Sequence, residues 1–464
     1  MSAQLPFRPT RAALAQAALD RRRFLGLAGI GLSAAALAAC GGGPSTAPGA
    51  RQSAAAEGID YSGVTPAPEI TWWSSNPGSS QAVSQQIVDA FHASQPDIKV
   101  TLVTAGANYE EIAQKFQAAQ SGGQLPDLMV FSDVWWFRYF MQDSIVPWDS
   151  LIDAVGIELD DYRDSLVADY QYEDAQWALP WARSTPLFYY NKAHWAAAGL
   201  PDRSPETWDE FSEWAPKLQS AGTGVQKAFQ HPALAGYAGW SFQNNLWGWG
   251  GGWSEQDSFD ITCDSKESVE AIQWLQDSVY ANGWAGVASN DSVNDLTAGA
   301  ASATIASTGS LVGILKAATF EVGAGFLPGG PVETSPVCPT GGAGLGIPKD
   351  VPAENQLAAA TFAKFLTSPE NAITFSSATG YLPIRKSADI APLVSAAPQA
   401  QVAIDQLDVT RGQDYARVFL PGADQEMAKT CANILTQQAD VQSELTALKG
   451  TLETIYTRDV EPNI

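Results

Sequence analysis

Between Ile70 and Phe131, short apolar runs alternate with helical patterns, and this order restricts the fold more than any other feature of the chain. Ile70-Thr71-Trp72-Trp73 reads as a strand. Val83, Ile87, Val88 and Phe91 then share one face of a helix over 82–94, which Gln95-Pro96-Asp97 ends. Ile98, Val100 and Leu102 alternate as in a second strand, and Ile112, Ala113 and Phe116 fall at helical spacing over 109–120. Leu128-Met129-Val130-Phe131 is a short, continuously apolar strand after the Pro126-Asp127 turn. Strand, helix, strand, helix, strand predicts an α/β layout with a parallel sheet. The loops after the strands, at Ser74, Gly106 and Ser132, would gather at one edge, where such sheets bind ligands.

A second block repeats the theme. Leu187-Phe188-Tyr189-Tyr190 reads as a strand, and Pro205 through Phe211 opens a helix with acids in its first turn. Residues 268–280 and 352–366 are helical, 303–306 a short strand, and 425–455 is expected to be helical throughout. The Gly/Pro-rich passage 327–346 is expected to be loop or crossing segment. No Gly/Ser linker separates two halves, yet 464 residues exceed the usual size of one core, so two interwoven domains are expected.

The N-terminus sets the compartment. Arg21-Arg22-Arg23 precede Phe24-Leu25 and an apolar run to Ala39, shorter than the ~20 residues of a spanning helix and suited to an export signal. Leu37-Ala38-Ala39-Cys40 resembles a bacterial lipoprotein box, in which the Cys40 thiol would carry lipid, palmitate included. The Arg-Arg-x-Phe-Leu run resembles a twin-arginine signal, with the general secretory route as alternative. Residues 1–39 are thus expected to be a signal peptide and 40–68, rich in Gly, Ala, Ser, Thr and Pro, a flexible tether. The product is expected on the extracytoplasmic face of the cell membrane. Outside the cytoplasm Cys263, Cys338 and Cys431 allow one disulfide, and their spacing does not choose among the pairings.

A formal charge of −24 excludes a nucleic-acid or anionic-membrane binder, which needs clustered Lys and Arg. No nucleophile elbow, P-loop, dinucleotide fingerprint, H-E-x-x-H or EF-hand loop occurs, and the spacing of Cys and the three His gives no metal site. No cofactor is expected. The acids leave a two-carboxylate glycosidase as the enzymatic alternative. The surplus of 16 Trp is more telling. Trp72, Trp73, Trp135, Trp136, Trp181, Trp240 and Trp247 fall at strand ends or in Gly-rich loops, where flat rings could stack on a sugar or hold a quaternary ammonium.

Ser184-Thr185-Pro186-Leu187-Phe188-Tyr189-Tyr190-Asn191-Lys192, Gly199-Leu200-Pro201 and Pro205 through Trp208 resemble the signature of extracellular solute-binding proteins of ABC importers. Asn108-Tyr109-Glu110, Ser307 through Leu311 and Thr379 through Pro383 are similar to the branch that binds glycerol 3-phosphate and glycerophosphodiesters. The resemblance implies a periplasmic-binding-protein-like clamp of two interwoven α/β lobes. The N-lobe would take 69–179 and 333–380, the C-lobe 180–332 and 381–464, joined by a hinge of several segments. The implied ligand is glycerol 3-phosphate or a diester such as glycerophosphocholine, with a di- or oligosaccharide as alternative. Implied contacts are Tyr109, Asp133, Ser184, Ser310, Gly342, Tyr381 and Arg417, with Trp240 beside them. Asp133 stands where the branch has the longer Glu. Ser307, Gly341 and Arg411 compete with Ser310, Gly342 and Arg417. Asp133 would accept from vicinal hydroxyls and the tyrosines would donate. Ser184, Ser310, the Gly342 N–H and Arg417 would cradle phosphate. The implied partners are a membrane permease and a cytoplasmic ATPase, with the binding protein itself a monomer.

Overall fold

The computed structural model describes residues 59–74 and 79–464; the expected export signal, Cys40 and the expected tether through residue 58 lie outside them. The first sheet begins with β1 (Glu69–Ser74), β2 (Lys99–Thr104) and β3 (Leu128–Ser132), paired in parallel as the alternation predicts. The helix Tyr109–Gly122 between β2 and β3 starts where Asn108 accepts from the Glu111 N–H and stops at Gly123, whose φ of 73° closes the last turn. After the small hairpin of β4 (Gln171–Tyr172) and β5 (Ala175–Gln176) comes β6 (Leu179–Ser184). Past Thr185 the chain enters the second sheet: β7 (Pro186–Asn191), β8 (Lys227–His231), β9 (Ala285–Val287), β10 (Ala301–Ser307) and β11 (Val322–Gly325). These lie in the order β11-β7-β10-β8-β9.

The chain then returns. β12 (Cys338–Pro339) leads to β13 (Gly341–Gly346), which inserts antiparallel between β3 and β6, so the first sheet runs β2-β1-β3-β13-β6. β14 (Thr410–Arg411) pairs with β12 beside the crossing. The helices Ala353–Leu366 and Pro369–Thr379 pack on Ser79–Ser94 of the first sheet, whereas Gln399–Asp405 packs on β11 of the second. The chain therefore passes between the sheets near Thr185, between β11 and β13, and again between Thr379 and Gln399. This is the interweaving inferred from the missing linker.

Three expectations change. The Gly/Pro-rich passage contains an interior strand, β13, whose glycines leave the space that neighbouring rings occupy. A Cβ on Gly341 would lie 2.5 Å from the Trp240 ring, and one on Gly346 would lie 2.0 Å from that of Phe131. The expected helix over 425–455 is two, Ala423–Gln437 and Val441–Ile455, because Gln438 turns left-handed at φ 55° and Asp440 caps the second. Residues 59–68, counted with the tether, lie against the fold: Tyr61 is buried and its hydroxyl donates to Gln356 at 2.5 Å.

Pairing between β6 and β13 shifts register at Gly342/Ala343, opposite Ala182, which has a φ of 47°. Gly342 has a φ of 104°, and a Cβ there would meet the Ala182 carbonyl oxygen at 2.2 Å. Gly342→Ala is therefore expected to cost about 2 kcal/mol, read as a lowered urea midpoint. An unchanged midpoint would show that the bulge relaxes. Cys263, Cys338 and Cys431 are all free and buried, and burial raises each thiol pKa, that of Cys263 to about 12. No described helix is long and apolar enough to cross a membrane.

Candidate ligand-binding site

The residues implied as contacts come from widely separated stretches of chain, and the structure joins several of them in pairs. Tyr109 opens its helix with acids beside it, and Tyr381 follows the αL cap Gly380 of Pro369–Thr379. Their hydroxyls lie 3.4 Å apart. The Tyr381 ring stacks on Phe375 and covers Gly309, where a Cβ would sit 2.8 Å from the ring. Burial first, and each other's proximity second, hold the Tyr109 phenol well above its usual range. Ser310 lies beside Tyr237, whose phenol burial pushes up to about 12, partly offset by hydrogen bonds with the Ser307 backbone and Ser310.

Asp133 follows β3 directly, at the sheet edge where the alternation places it. It is 3% exposed, and its N–H donates to the Gly342 carbonyl at 3.1 Å. Its carboxylate accepts from Ser132 Oγ at 2.8 Å and Gln413 Nε2 at 2.6 Å, and pairs with Arg417 at 3.4 Å. Arg417, on the short helix Tyr415–Val418, also donates from Nε to Asp424 at 2.9 Å and from its other end to Gln413. Ser184 ends β6 opposite Gly341 and is buried. Trp240 packs over Gly341, and its Nε1 donates to the Thr340 carbonyl at 2.7 Å.

Sequence reasoning missed a second polar layer. Arg183, wholly buried just past the bulge, donates to Tyr170 Oη at 2.6 Å and pairs with Asp169. Burial would lower the Arg183 pKa, but the Tyr170, Asp169 and Asp133 partners reverse this and raise it. Burial raises the Asp169 pKa against the opposing Arg183 charge. A signal was present: an Arg inside an otherwise apolar strand requires a buried acid.

The aromatic-stacking expectation finds no support at most tryptophans. Trp72 has no exposed surface and packs edge-on against Trp181 and Phe362. Trp181 in turn lies on Phe375, and Trp136 sits among Phe137, Tyr170 and Phe419. Trp247 donates to Asp414 at 2.9 Å under the Arg411 guanidinium. Trp73 and Trp135 keep a little exposure, each beneath a cation, Lys115 and Arg138. These rings gather because the cores need bulk between helices and sheets.

The Tyr-Tyr-Asn-Lys run makes structural bonds. Tyr190 Oη donates to Asp202 at 2.9 Å, Asn191 caps the next helix, and Lys192 pairs with Glu321 at 2.7 Å.

The sequence profile of the bacterial extracellular solute-binding protein family matches residues 86–402. The chain is 29% identical over 334 residues to the sn-glycerol-3-phosphate-binding periplasmic protein UgpB of Escherichia coli strain K12, covering 69% of this chain and 75% of that one. Among solved structures it is similar to UgpB from Mycobacterium tuberculosis in complex with glycerophosphocholine. The identity there is 41%, with 85% of this chain and 100% of that one covered and a TM-score of 0.80. The GacH receptor of Streptomyces glaucescens shares the fold at 18% identity, 84% and 98% coverage and a TM-score of 0.73.

Proposed function

The chain belongs to the bacterial extracellular solute-binding protein family, and on that premise we propose that it captures glycerol 3-phosphate or a glycerophosphodiester between its two lobes for an ABC importer. The observation that carries this reading is that Tyr109 meets Tyr381 and Asp133 meets Arg417 across distant stretches of chain, with the Asp133 charge near enough to act on the Tyr109 phenol. Asp133 accepts from glycerol hydroxyls. Arg417, held between Asp133 and Asp424, offers a fixed guanidinium fork for the phosphate. Ser184, Ser310 and Gly342 complete the cradle. Two relatives named UgpB, one of them solved in complex with glycerophosphocholine, support the ligand class. An oligosaccharide would need broad stacking faces, and Trp72, Trp136 and Trp181 are packed away from any.

In this reading the lobes divide at Thr185, between Gly325 and Gly341, and after Thr379. A ligand that touches both lobes favours the closed arrangement by its differential affinity, and the permease reads that shape. The ligand leaves chemically unchanged. Cys40 anchors the monomeric protein to the outer face of the membrane through lipid.

Calorimetry against glycerophosphocholine, glycerol 3-phosphate, maltose and trehalose tests the reading. Saturable binding of a glycerol phosphate, recovered intact, is expected. Saturable maltose binding with none for either phosphate overturns it.

A further inference from the structure

Three remote stretches of chain meet at one side-chain amide outside the contact set above. Gln406 opens the short helical turn Gln406–Val409, directly after the helix Gln399–Asp405, and has no exposed surface. Its Nε2 donates to Thr185 Oγ1 at 3.0 Å and to the Pro186 carbonyl at 2.8 Å. Its Oε1 accepts from the Leu327 N–H at 3.0 Å. The Cys338 thiol points toward the Gln406 backbone carbonyl at 4.0 Å. Thr185, Leu327 and Cys338 are as deeply buried as the amide itself.

The amide has one workable orientation. The Pro186 carbonyl can only accept and the Leu327 N–H can only donate, so the two ends of the Gln406 amide are not interchangeable. Losing any of these bonds strands a buried polar group. An apolar side chain would fill the same space without such demands, so a fully engaged amide here specifies geometry rather than bulk.

What these bonds join is the passage between the two sheets. Thr185 is the step from β6 into β7, and Leu327 lies just past β11 on the way to β12 and β13. Gln406 itself follows the helix that completes the third passage. Pro186 fixes its own φ and keeps Thr185 extended, so the first passage is stiff before anything is tied to it. Ser184 precedes Thr185, and from Gln406 the chain runs through β14 to Gln413 and Arg417. The amide therefore stands between contacts carried by different stretches of chain.

We propose that Gln406 is the hinge pin of the clamp, a positioning residue that fastens the passage at Thr185 to the passage at Leu327 so that both turn about one joint. Without the pin the passages flex separately. The ligand-free protein then spends more time in wider arrangements, in which Ser184 and Arg417 do not reach the same ligand, and apparent affinity falls by the fraction of molecules left competent. The inference rests on the two-lobe reading above and names the residue that governs motion between the lobes.

Gln406→Leu keeps apolar volume and removes the amide. Thr185→Val removes one of the three side-chain bonds and is the milder change where the first variant folds poorly. X-ray scattering of the ligand-free proteins should give a larger radius of gyration for Gln406→Leu than for the unaltered protein. Saturation with glycerophosphocholine should return both to the same compact profile. Calorimetry should show glycerophosphocholine bound about five- to tenfold more weakly by Gln406→Leu and about two- to threefold more weakly by Thr185→Val. A merely structural role would lower the urea midpoint and leave the radius and the affinity of the folded protein unchanged. Unchanged radii in both variants, or a larger radius with unaltered affinity, overturns the pin. Failure of every glycerol phosphate to bind the unaltered protein overturns the functional reading alone, because the ligand-free radii still decide the pin.

Discussion

Arg417→Ala should weaken glycerophosphocholine binding by about 2 kcal/mol or more, roughly thirtyfold, as loss of a buried charge-assisted contact does. The guanidinium is 5% exposed and is aimed by Asp133, Gln413 and Asp424, so it loses little freedom when it meets an anion. Removing it also strands two buried carboxylates. A stability loss of about 3–5 kcal/mol is expected alongside, the size seen when one member of a buried pair is deleted. Arg417→Lys separates the two effects. It keeps the charge that neutralises Asp133 but lacks the planar fork, so it should recover stability more fully than affinity. Calorimetry gives the affinity and urea unfolding the stability. Unchanged affinity in the alanine variant would remove Arg417 from the anion contact. Arg411, which the sequence left as its competitor, is turned toward Trp247 and Asp414 instead.

Trp72→Ala should cost about 3–5 kcal/mol of stability, as truncation of a wholly buried Trp does. Its ring fills the space between β1 and the Ala353–Leu366 helix, against Phe362 and Trp181. Alanine would leave a void there that neighbouring rings close only in part. Ligand affinity, measured at a temperature where the variant is folded, should stay within about twofold. A selective loss of affinity without loss of stability would return Trp72 to the binding surface.

Much of this fold could be read from periodicity. β2 and the helices before and after it follow alternation at two and at 3.6 residues, a signal that burial on one face imposes, whereas β3 shows as a continuous apolar run buried on both faces. β13 could not be read that way. Its glycines lack the side chains that make a pattern, and what requires them is the approach of Trp240 and Phe131, remote in sequence. The Gln438 break was hidden because an apolar stripe continues on both sides of it. At the site, Asp133 and Tyr109 are legible through the family resemblance, and they lie by the loops after β3 and β2 that the strand order brings to one edge. Arg183, Tyr170 and Asp169 are not legible, because a buried ion pair formed between a strand and a loop has no local sequence pattern. The tryptophans misled for a related reason: a ring beside glycine marks equally a place where rings pack against bare backbone.

The position of β13 governs when the molecule can become solid. It is the penultimate strand of the first sheet, yet roughly two hundred residues separate it from β3, the neighbour it completes. Until those residues have been made, β3 and β6 have no common partner, and the amino-terminal half is a set of fragments with an open seam. Maturation of that lobe therefore waits on the other, and assembly proceeds from the whole polypeptide rather than lobe by lobe as translation advances.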